Sequence, residues 1–351
     1  MENRFEIRNL IDTKLQIEKI KDLSSDTEGK NSTVFLGRDP QMDKDFLIKK
    51  ISKTNLRMST KDIFEETKVL TMSGHRNIMP IQYATQDEEY IYMALPYYQR
   101  GSLNKMANDY ESNIQLIGYC LDFLSGLAHA HVLKILHLDI KPSNIIIDDS
   151  DRAILTDFGQ SCKLPDDDCV PQEKSIYSAN ISPTLLETGL VSFQDDIYQV
   201  GLTLYRMFNN FYYEESINSI SSQYDLQTKI LNKTFPKNQF LPHIPKQLQR
   251  IINKCLMRDT VLYSSIIEVM NDIAKLDQML DVGFRKNKNN NHLEWKKVTE
   301  TAIINIEMDE FTNEVVAFKQ NKISGNSQKI STLNKSFESQ KDALGAIKKY
   351  L

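Results

Sequence analysis

The sequence is poor in several features that assign a protein directly to a class. Its cysteines, Cys120, Cys162, Cys169 and Cys255, form no C-x-x-C pair and have no histidines at zinc-ligand spacing. No run of about 18 apolar residues occurs, and charges stand at the amino terminus where a signal peptide has an apolar core. These absences predict reduced thiols and a cytoplasmic protein, either of the producing cell or, for a delivered effector, of a host cell.

A strong excess of charge of either sign is also absent. The formal net charge is only -4, whereas proteins that bind nucleic acids or membrane surfaces usually carry basic blocks or a large basic excess. We therefore predict neither nucleic acid nor membrane as a partner. The 351 residues, 40% of them apolar, are enough for two domains or for one two-lobed domain with an addition.

The hydrophobic pattern changes along the chain. Short β-like runs occur at 33–36, 45–51 and 90–94, around one helical stretch at 61–72. Helical periodicity follows from Ser112, where S-x-x-Q forms a capping box. The pattern predicts a small β-rich lobe with one helix, followed by a mostly helical lobe.

Two further helices are predicted in the second half of the chain, at 194–208 and 264–280. After them, the stretch 285–292 is polar and typical of a linker. Alternating apolar residues at 302–308 and a helix capped near Ser339 then predict a strand hairpin plus one helix.

The stretch with the clearest chemistry is H-L-D-I-K-P-S-N at 137–144, followed by a short hairpin and D-F-G at 157–159. It resembles the catalytic loop and metal-binding segment of protein kinases. The resemblance implies that Asp139 accepts the proton of the substrate hydroxyl, that Lys141 neutralises charge on the transferred phosphate, and that Asn144 and Asp157 hold Mg²⁺. A lysine at this spacing is typical of serine/threonine kinases.

Weaker matches to the same family lie upstream. F-L-I-K-K-I at 46–51 resembles the third-strand lysine motif, with Lys49 at the α- and β-phosphates of ATP. The resemblance pairs Lys49 with Glu66, nine residues before H-R-N-I at 75–78. Glu65 is the alternative, but adjacent helix residues point about 100° apart, and the spacing to His75 favours Glu66.

M-A-L-P-Y-Y at 93–98 resembles the hinge of protein kinases, and the resemblance implies an adenine site there. Leu95 would be the gatekeeper, and the carbonyl of Pro96 and the amide of Tyr98 would contact adenine. Val34 and Leu47 would cover one face of the ring and Ile146 the other. Downstream, D-D-I-Y-Q-V-G at 195–201 resembles the start of the central helix of the large lobe, where Asp196 would brace the catalytic loop.

The sequence departs from the family pattern at several positions. Only Gly29 remains of the glycine-rich loop, which weakens the case for tight ATP binding. Leu138 replaces the arginine that reads a phosphate on the activation segment, and we therefore hypothesise that activity does not require that phosphorylation. Thr184 and Tyr263 together replace both partners of a family ion pair, a double loss that an intact fold tolerates better than a single one.

We conclude from the sequence that the protein has an α+β, two-lobed protein-kinase fold and transfers the γ-phosphoryl group of Mg·ATP to a hydroxyl of an unidentified protein substrate. Two alternatives stay open, a pseudokinase that acts as a binding module and a kinase of a non-protein substrate. The predicted divisions are a kinase domain at 1–280 (small lobe about 15–95, hinge 96–101, large lobe 102–280), a linker at 281–292, and an accessory ββα-like module at 293–351.

Overall fold

A computed structural model describes residues 16–23, 32–55, 74–106, 108–165, 169–172, 176–287 and 291–351. Two compact units are formed, one from Met1–Ser73 and Met79–Tyr97 and the other from Gly74–Ile78 and Tyr98–Leu351. The predicted helix at 61–72, with Glu66, and the glycine loop with Gly29 lie outside the described residues.

The smaller unit contains an antiparallel sheet in the order β1-β2-β3-β5-β4. Its strands are β1 Glu18–Asp22, β2 Ser32–Asp39, β3 Lys44–Ser52, β4 Tyr83–Gln86 and β5 Tyr90–Pro96. The predicted runs at 33–36, 45–51 and 90–94 are confirmed. Phe46, Ile48 and Ala94 form a buried cluster on one face of the sheet. Side chains alternate along a strand, and Leu47 and Lys49 therefore point to the opposite face.

The larger unit is mainly helical. Its helices are α1 Asn113–Val132, α2 Pro183–Thr188, α3 Phe193–Asn218, α4 Gln223–Leu231, α5 Lys246–Cys255, α6 Ile266–Ala274 and α7 Gln340–Ile347. Its strands are β6 Asp109–Tyr110, β7 Ile135–Leu136, β8 Ile145–Ile147, β9 Ala153–Leu155, β10 Cys162–Lys163, β11 Val170–Pro171, β12 Leu190–Val191, β13 Val282–Asn287, β14 His292–Val298, β15 Ala302–Asp309, β16 Glu314–Asn321, β17 Ser327–Lys329 and β18 Lys335–Ser336. Among the described residues, no helix is long and apolar enough to cross a membrane.

Helix α1 begins where the sequence predicts. The hydroxyl of Ser112 caps it by accepting a hydrogen bond from the amide of Gln115.

The segment 74–78 is joined to the hairpin of β8 and β9, because the side-chain amide of Asn77 donates to the Ala153 carbonyl at 3.0 Å. Gly126 in α1 permits this docking, because a Cβ there would lie 2.5 Å from the carbonyl oxygen of Asn77.

The other two predicted helices are present with different bounds. Helix α3 covers the predicted 194–208 and continues to Asn218. For the helix predicted at 264–280, the predicted end is wrong, because α6 ends at Ala274. The carbonyls of Met279 and Leu280 instead accept hydrogen bonds from the first turn of α1, at 2.8 and 3.0 Å.

The linker predicted at 281–292 is also wrong, because these residues include β13 and the start of β14. Here β13–β18 are called the accessory sheet, whose order is β17-β16-β15-β14-β13, with β6 paired to β13 and β18 to β16. Val282 and Phe284 are buried, whereas Arg285 is exposed and Lys286 and Asn287 are half-buried. The accessory sheet is thus continuous with the larger unit.

Parts of the strand hairpin and helix expected in the carboxyl-terminal segment correspond to observed elements. The predicted alternation at 302–308 corresponds to β15, which pairs with β16 as a hairpin, and Ser339 caps α7. Strand β14 was not predicted, and neither were the short strands β17 and β18, which are exposed and polar.

Candidate active site

In the catalytic loop, two of the predicted residues donate hydrogen bonds to the carboxylate of a third, Asp139. Lys141 Nζ donates to Asp139 Oδ2 at 2.8 Å. The side-chain amide of Asn144 donates to the same oxygen and to the backbone carbonyl of Asp139, both at 2.8 Å. The Asp139 side chain is only 13% exposed. It is therefore held in one orientation, with charge-assisted hydrogen bonds on one oxygen.

The backbone of this loop is braced by Asp196 of α3, as predicted. Its two carboxylate oxygens accept from the amides of His137 and Leu138 at 2.9 and 2.8 Å, and His131 Nε2 lies 2.8 Å from one of them. Leu138 is held at φ 59°, a left-handed conformation that costs a bulky residue free energy. The brace therefore maintains a backbone that the loop sequence alone does not favour.

Two further braces were missed by the sequence analysis. Gln199 accepts from the amide of Ile140 at 2.8 Å and donates to the carbonyl of Leu138 at 3.0 Å, while Thr203 donates to the Ile140 carbonyl at 3.0 Å. The signal was present, because Asp196, Gln199 and Thr203 lie at i, i+3 and i+7 on the same buried stripe of α3 as the predicted apolar residues. Polar residues on the buried stripe of a helix must find partners.

The second motif is joined to the first through the β8–β9 hairpin and the residue that follows it. The amide of Thr156 donates to the carbonyl of Asn144 at 2.9 Å, and His137 Nε2 lies 3.0 Å from the Thr156 carbonyl. Asp157 adopts φ 61°, ψ 70°, and its carboxylate accepts from the Gly159 amide at 3.3 Å. A non-glycine residue in this region marks a site where the surrounding structure imposes the conformation.

Asn144 and Asp157 fit the role of magnesium ligands chemically. The amide nitrogen of Asn144 is committed to Asp139, and the atom left to face a cation is its carbonyl oxygen. Asp157 is exposed and offers carboxylate oxygens. Mg²⁺ prefers such hard oxygen donors and usually takes only one or two from the protein, with water and phosphate oxygens completing its coordination.

In the smaller unit, the sheet register brings most of the predicted nucleotide-contacting residues to one face. Val34 lies opposite Lys49 on the neighbouring strand, and Leu47 lies opposite Leu95. Directly opposed residues share a face, as do residues two apart on one strand. Strand β5 ends at Pro96, where the sequence places the hinge.

In the larger unit, Tyr98 and Ile146 carry the other predicted adenine contacts. Tyr98 is half-buried, and burial raises the pKa of its phenol. Ile146 is also half-buried, whereas its neighbours Ile145 and Ile147 are buried. Its side chain therefore lies on the more accessible face of the hairpin.

Leu138 lies in an apolar cluster at the position where the family pattern has arginine. The buried members of this leucine cluster are Leu136, Leu138, Leu164, Ile176, Leu185 and Val191. Leu164 and Ile176 belong to the activation segment, residues 159–182. The segment is also held by two short strand pairs, β10 with β7 and β11 with β12.

Thr184 and Tyr263 replace the family ion pair without contacting each other through a hydrogen bond. The Thr184 hydroxyl approaches Met257 Sδ at 3.6 Å, and the Tyr263 hydroxyl donates to Asp272 at 2.9 Å. Burial raises the pKa of the Tyr263 phenol. Each replacement thus has a new partner, which explains how the fold tolerates the change.

Comparison with known proteins agrees with this geometry. A family model described as the protein kinase domain matches residues 27–272, and the chain therefore belongs to the protein kinase family. A calcium/calmodulin-dependent protein kinase kinase of Caenorhabditis elegans is 28% identical over 50% of this chain and 33% of its own length. A probable serine/threonine-protein kinase of Dictyostelium discoideum is 24% identical over 66% of this chain and 36% of its own.

The human serine/threonine-protein kinase MRCK gamma is 27% identical over 61% of this chain and 14% of its own length. The chain thus spans little more than a third, or less, of the length of these relatives.

Proposed function

We propose that the protein is an active serine/threonine kinase that transfers the γ-phosphoryl group of Mg·ATP to a hydroxyl of a protein substrate. The observation that carries this proposal is the arrangement of Asp139, Lys141 and Asn144, in which one carboxylate is oriented by two donors. The relatives described as serine/threonine kinases support the choice of acceptor class.

The reaction asks for little covalent chemistry from the protein. A bond forms between the substrate hydroxyl oxygen and the γ-phosphorus, the bond from that phosphorus to the bridging oxygen breaks, and the hydroxyl proton passes to Asp139. Lys141 stabilises the charge on the transferred group. Asn144 and Asp157 would hold Mg²⁺, which when bound neutralises phosphate charge.

We also propose that activity does not depend on phosphorylation of the activation segment. An arginine at position 138 would need a phosphate to neutralise it, whereas Leu138 is 4% exposed and packs in the leucine cluster. Apolar contacts of this kind are present whether or not a phosphate is added. Phosphatase treatment should therefore leave the rate of phosphoryl transfer within about twofold of the untreated rate, the ordinary scatter of a neutral change.

The test is transfer of labelled phosphate from Mg·ATP to a generic basic protein. Asp139→Asn and Asp157→Ala should each abolish transfer, while Asp277→Asn, which changes an exposed carboxylate outside the site, should preserve it. No transfer by the unmodified protein, with nucleotide still bound, would point to the pseudokinase. Transfer to small molecules alone would point to a kinase of a non-protein substrate.

A further inference from the structure

Within the larger unit, the accessory sheet contacts the helical part at the residues that precede α1. Strand β13 pairs with β6, and a Cβ on Gly283 would lie 2.2 Å from the carbonyl oxygen of Glu111. The backbones approach so closely only because position 283 has no side chain. The sheet is therefore completed by a strand of the kinase lobe.

The chain's one tryptophan forms a buried polar contact at this junction. Trp295 of β14 is 1% exposed, and its indole Nε1 donates to Nδ1 of His243 at 2.9 Å. The His243 ring stacks on Phe284 of β13, with centroids 4.7 Å apart and planes 15° from parallel. The accessory sheet thus holds this imidazole by a hydrogen bond and a ring contact.

This contact also determines the tautomer of His243. An indole nitrogen can only donate, and Nδ1 must therefore be the acceptor and Nε2 must carry the proton. His243 Nε2 accordingly donates to the carbonyl of Phe208 in α3, at 3.1 Å. Burial lowers the pKa of His243 to about 3, which keeps the ring neutral at physiological pH.

Helix α3 is broken one residue after that carbonyl. Asn209 has φ -142°, ψ 32°, outside the helical range. Its side chain donates to the carbonyl of Gln239 at 2.7 Å and accepts from the amide of Leu241 at 3.1 Å. The loop 239–243, which includes His243, therefore clamps both residues at the kink, a recognised cause of helix bending.

The half of α3 before the kink carries the catalytic-loop braces. Thr203 lies five residues before Phe208, about 7.5 Å along the helix axis. Gln199 and Asp196 lie further towards the start of the helix on the same stripe. A rigid helical segment transmits a change in its end position to the groups that it carries. The position of Phe208 thus sets where those three side chains meet the catalytic loop.

We propose that the accessory sheet is a positioning element of the catalytic loop, acting through Trp295, His243 and the carbonyl of Phe208 on the half of α3 that holds the loop. Its influence on rate rests on the kinase activity proposed above. Its influence on the loop backbone does not, because amide exchange is measured without catalysis.

The test compares the full chain with Trp295→Phe, which keeps an aromatic ring and removes the donor to His243. We expect the amides of Leu138 and Ile140 to exchange with deuterium about tenfold faster, since local opening becomes easier. The kcat should fall about five- to tenfold, with KM for ATP within about twofold, as for a change that acts on the chemical step.

Two further variants separate positioning from general destabilisation. Leu333→Ala removes a buried side chain from the turn between β17 and β18, and this side chain has no hydrogen bond or ring contact with His243. It should lower the melting temperature yet leave exchange of the catalytic loop unchanged well below melting. His243→Gln offers a donor to Phe208 and should retain more activity than His243→Phe.

Unchanged exchange at Leu138 and Ile140 in folded Trp295→Phe would overturn the proposal, as would an equal acceleration in Leu333→Ala. If the unmodified protein transferred no phosphate but Trp295→Phe still accelerated exchange, the proposed activity would fail while the positioning role stood.

Discussion

The Asp196→Asn substitution changes the chemistry of a buried brace while keeping its shape. The Asp196 side chain is fully buried, and its two oxygens accept from two backbone amides and lie beside His131. An asparagine can offer only one oxygen. Whichever way its amide is turned, the nitrogen faces the amide of either His137 or Leu138, and one of these buried donors loses its acceptor.

The magnitude follows from these contacts. A buried donor left unpaired costs about 1–3 kcal/mol, and the bond that remains is weaker because its acceptor is no longer charged. Relaxation of Leu138 from φ 59°, where about 1–3 kcal/mol of strain is stored, would offset part of this loss but would also displace the backbone of the catalytic loop. We expect a net loss of about 2 kcal/mol in the unfolding free energy. If the same loss appears in the transition state, kcat falls about 30-fold.

The assay measures both quantities on one protein. Urea unfolding is followed by the fluorescence of the single tryptophan, and kcat by phosphate transfer to a basic protein. Asp195→Asn is the control, because Asp195 is equally buried on the same helix but bonds Ser182 and Ser192 and accepts no hydrogen bond from residues 137–144. Burial raises the pKa of Asp195. A kcat for Asp196→Asn within about threefold of the unmodified protein would refute the bracing argument.

Three further predictions follow from the packing of the larger unit. The folded pKa of His243, about 3, lies below the unfolded value of about 6.5. The contribution of His243 to the unfolding free energy is therefore present above pH 6.5 and is lost as the pH falls towards 3. Between pH 7 and pH 4 the unmodified chain should lose about 3 kcal/mol more unfolding free energy than His243→Gln does. Gly283→Ala should lower the unfolding free energy measured in urea by more than about 2 kcal/mol, because its Cβ meets the Glu111 carbonyl. Gly345→Ala has open space around it and should raise the unfolding free energy by about 0.5–1 kcal/mol. Equal effects of the two substitutions would contradict the close approach at Gly283. Leu138→Ala should cost about 2–5 kcal/mol by leaving a cavity in the leucine cluster, and should increase proteolysis of the activation segment.

The parts of the site that lie close together in sequence were predicted best. Asp139, Lys141 and Asn144 fall within six residues, and the structure brings them together. The contacts of Gln199 and Thr203 with Ile140 span about sixty residues, and no local pattern reports which carbonyl a distant side chain will reach. Their polarity within a buried helix could still have marked them as braces.

Secondary structure was predicted correctly where hydrophobic periodicity determines it, and wrongly where pairing with distant residues determines it. The alternation that marks β3 and β5 reflects burial on one face, which the sequence carries directly. Strand β13 has buried residues only at its start, and its polar remainder resembles a linker until β6 and β14 supply pairing partners. Helix α6 ends at Ala274, and the predicted end of the helix instead bonds the first turn of α1, a contact over 166 residues.

The central claim is that this chain transfers phosphate to protein hydroxyls using Asp139. The most direct measurement is mass spectrometry of a generic basic protein after incubation with Mg·ATP and phosphatase-treated enzyme, beside Asp139→Asn. The account predicts new phosphoserine or phosphothreonine with the unmodified enzyme and none with the variant. Equal phosphorylation by both proteins, or none by either with nucleotide bound, would contradict it.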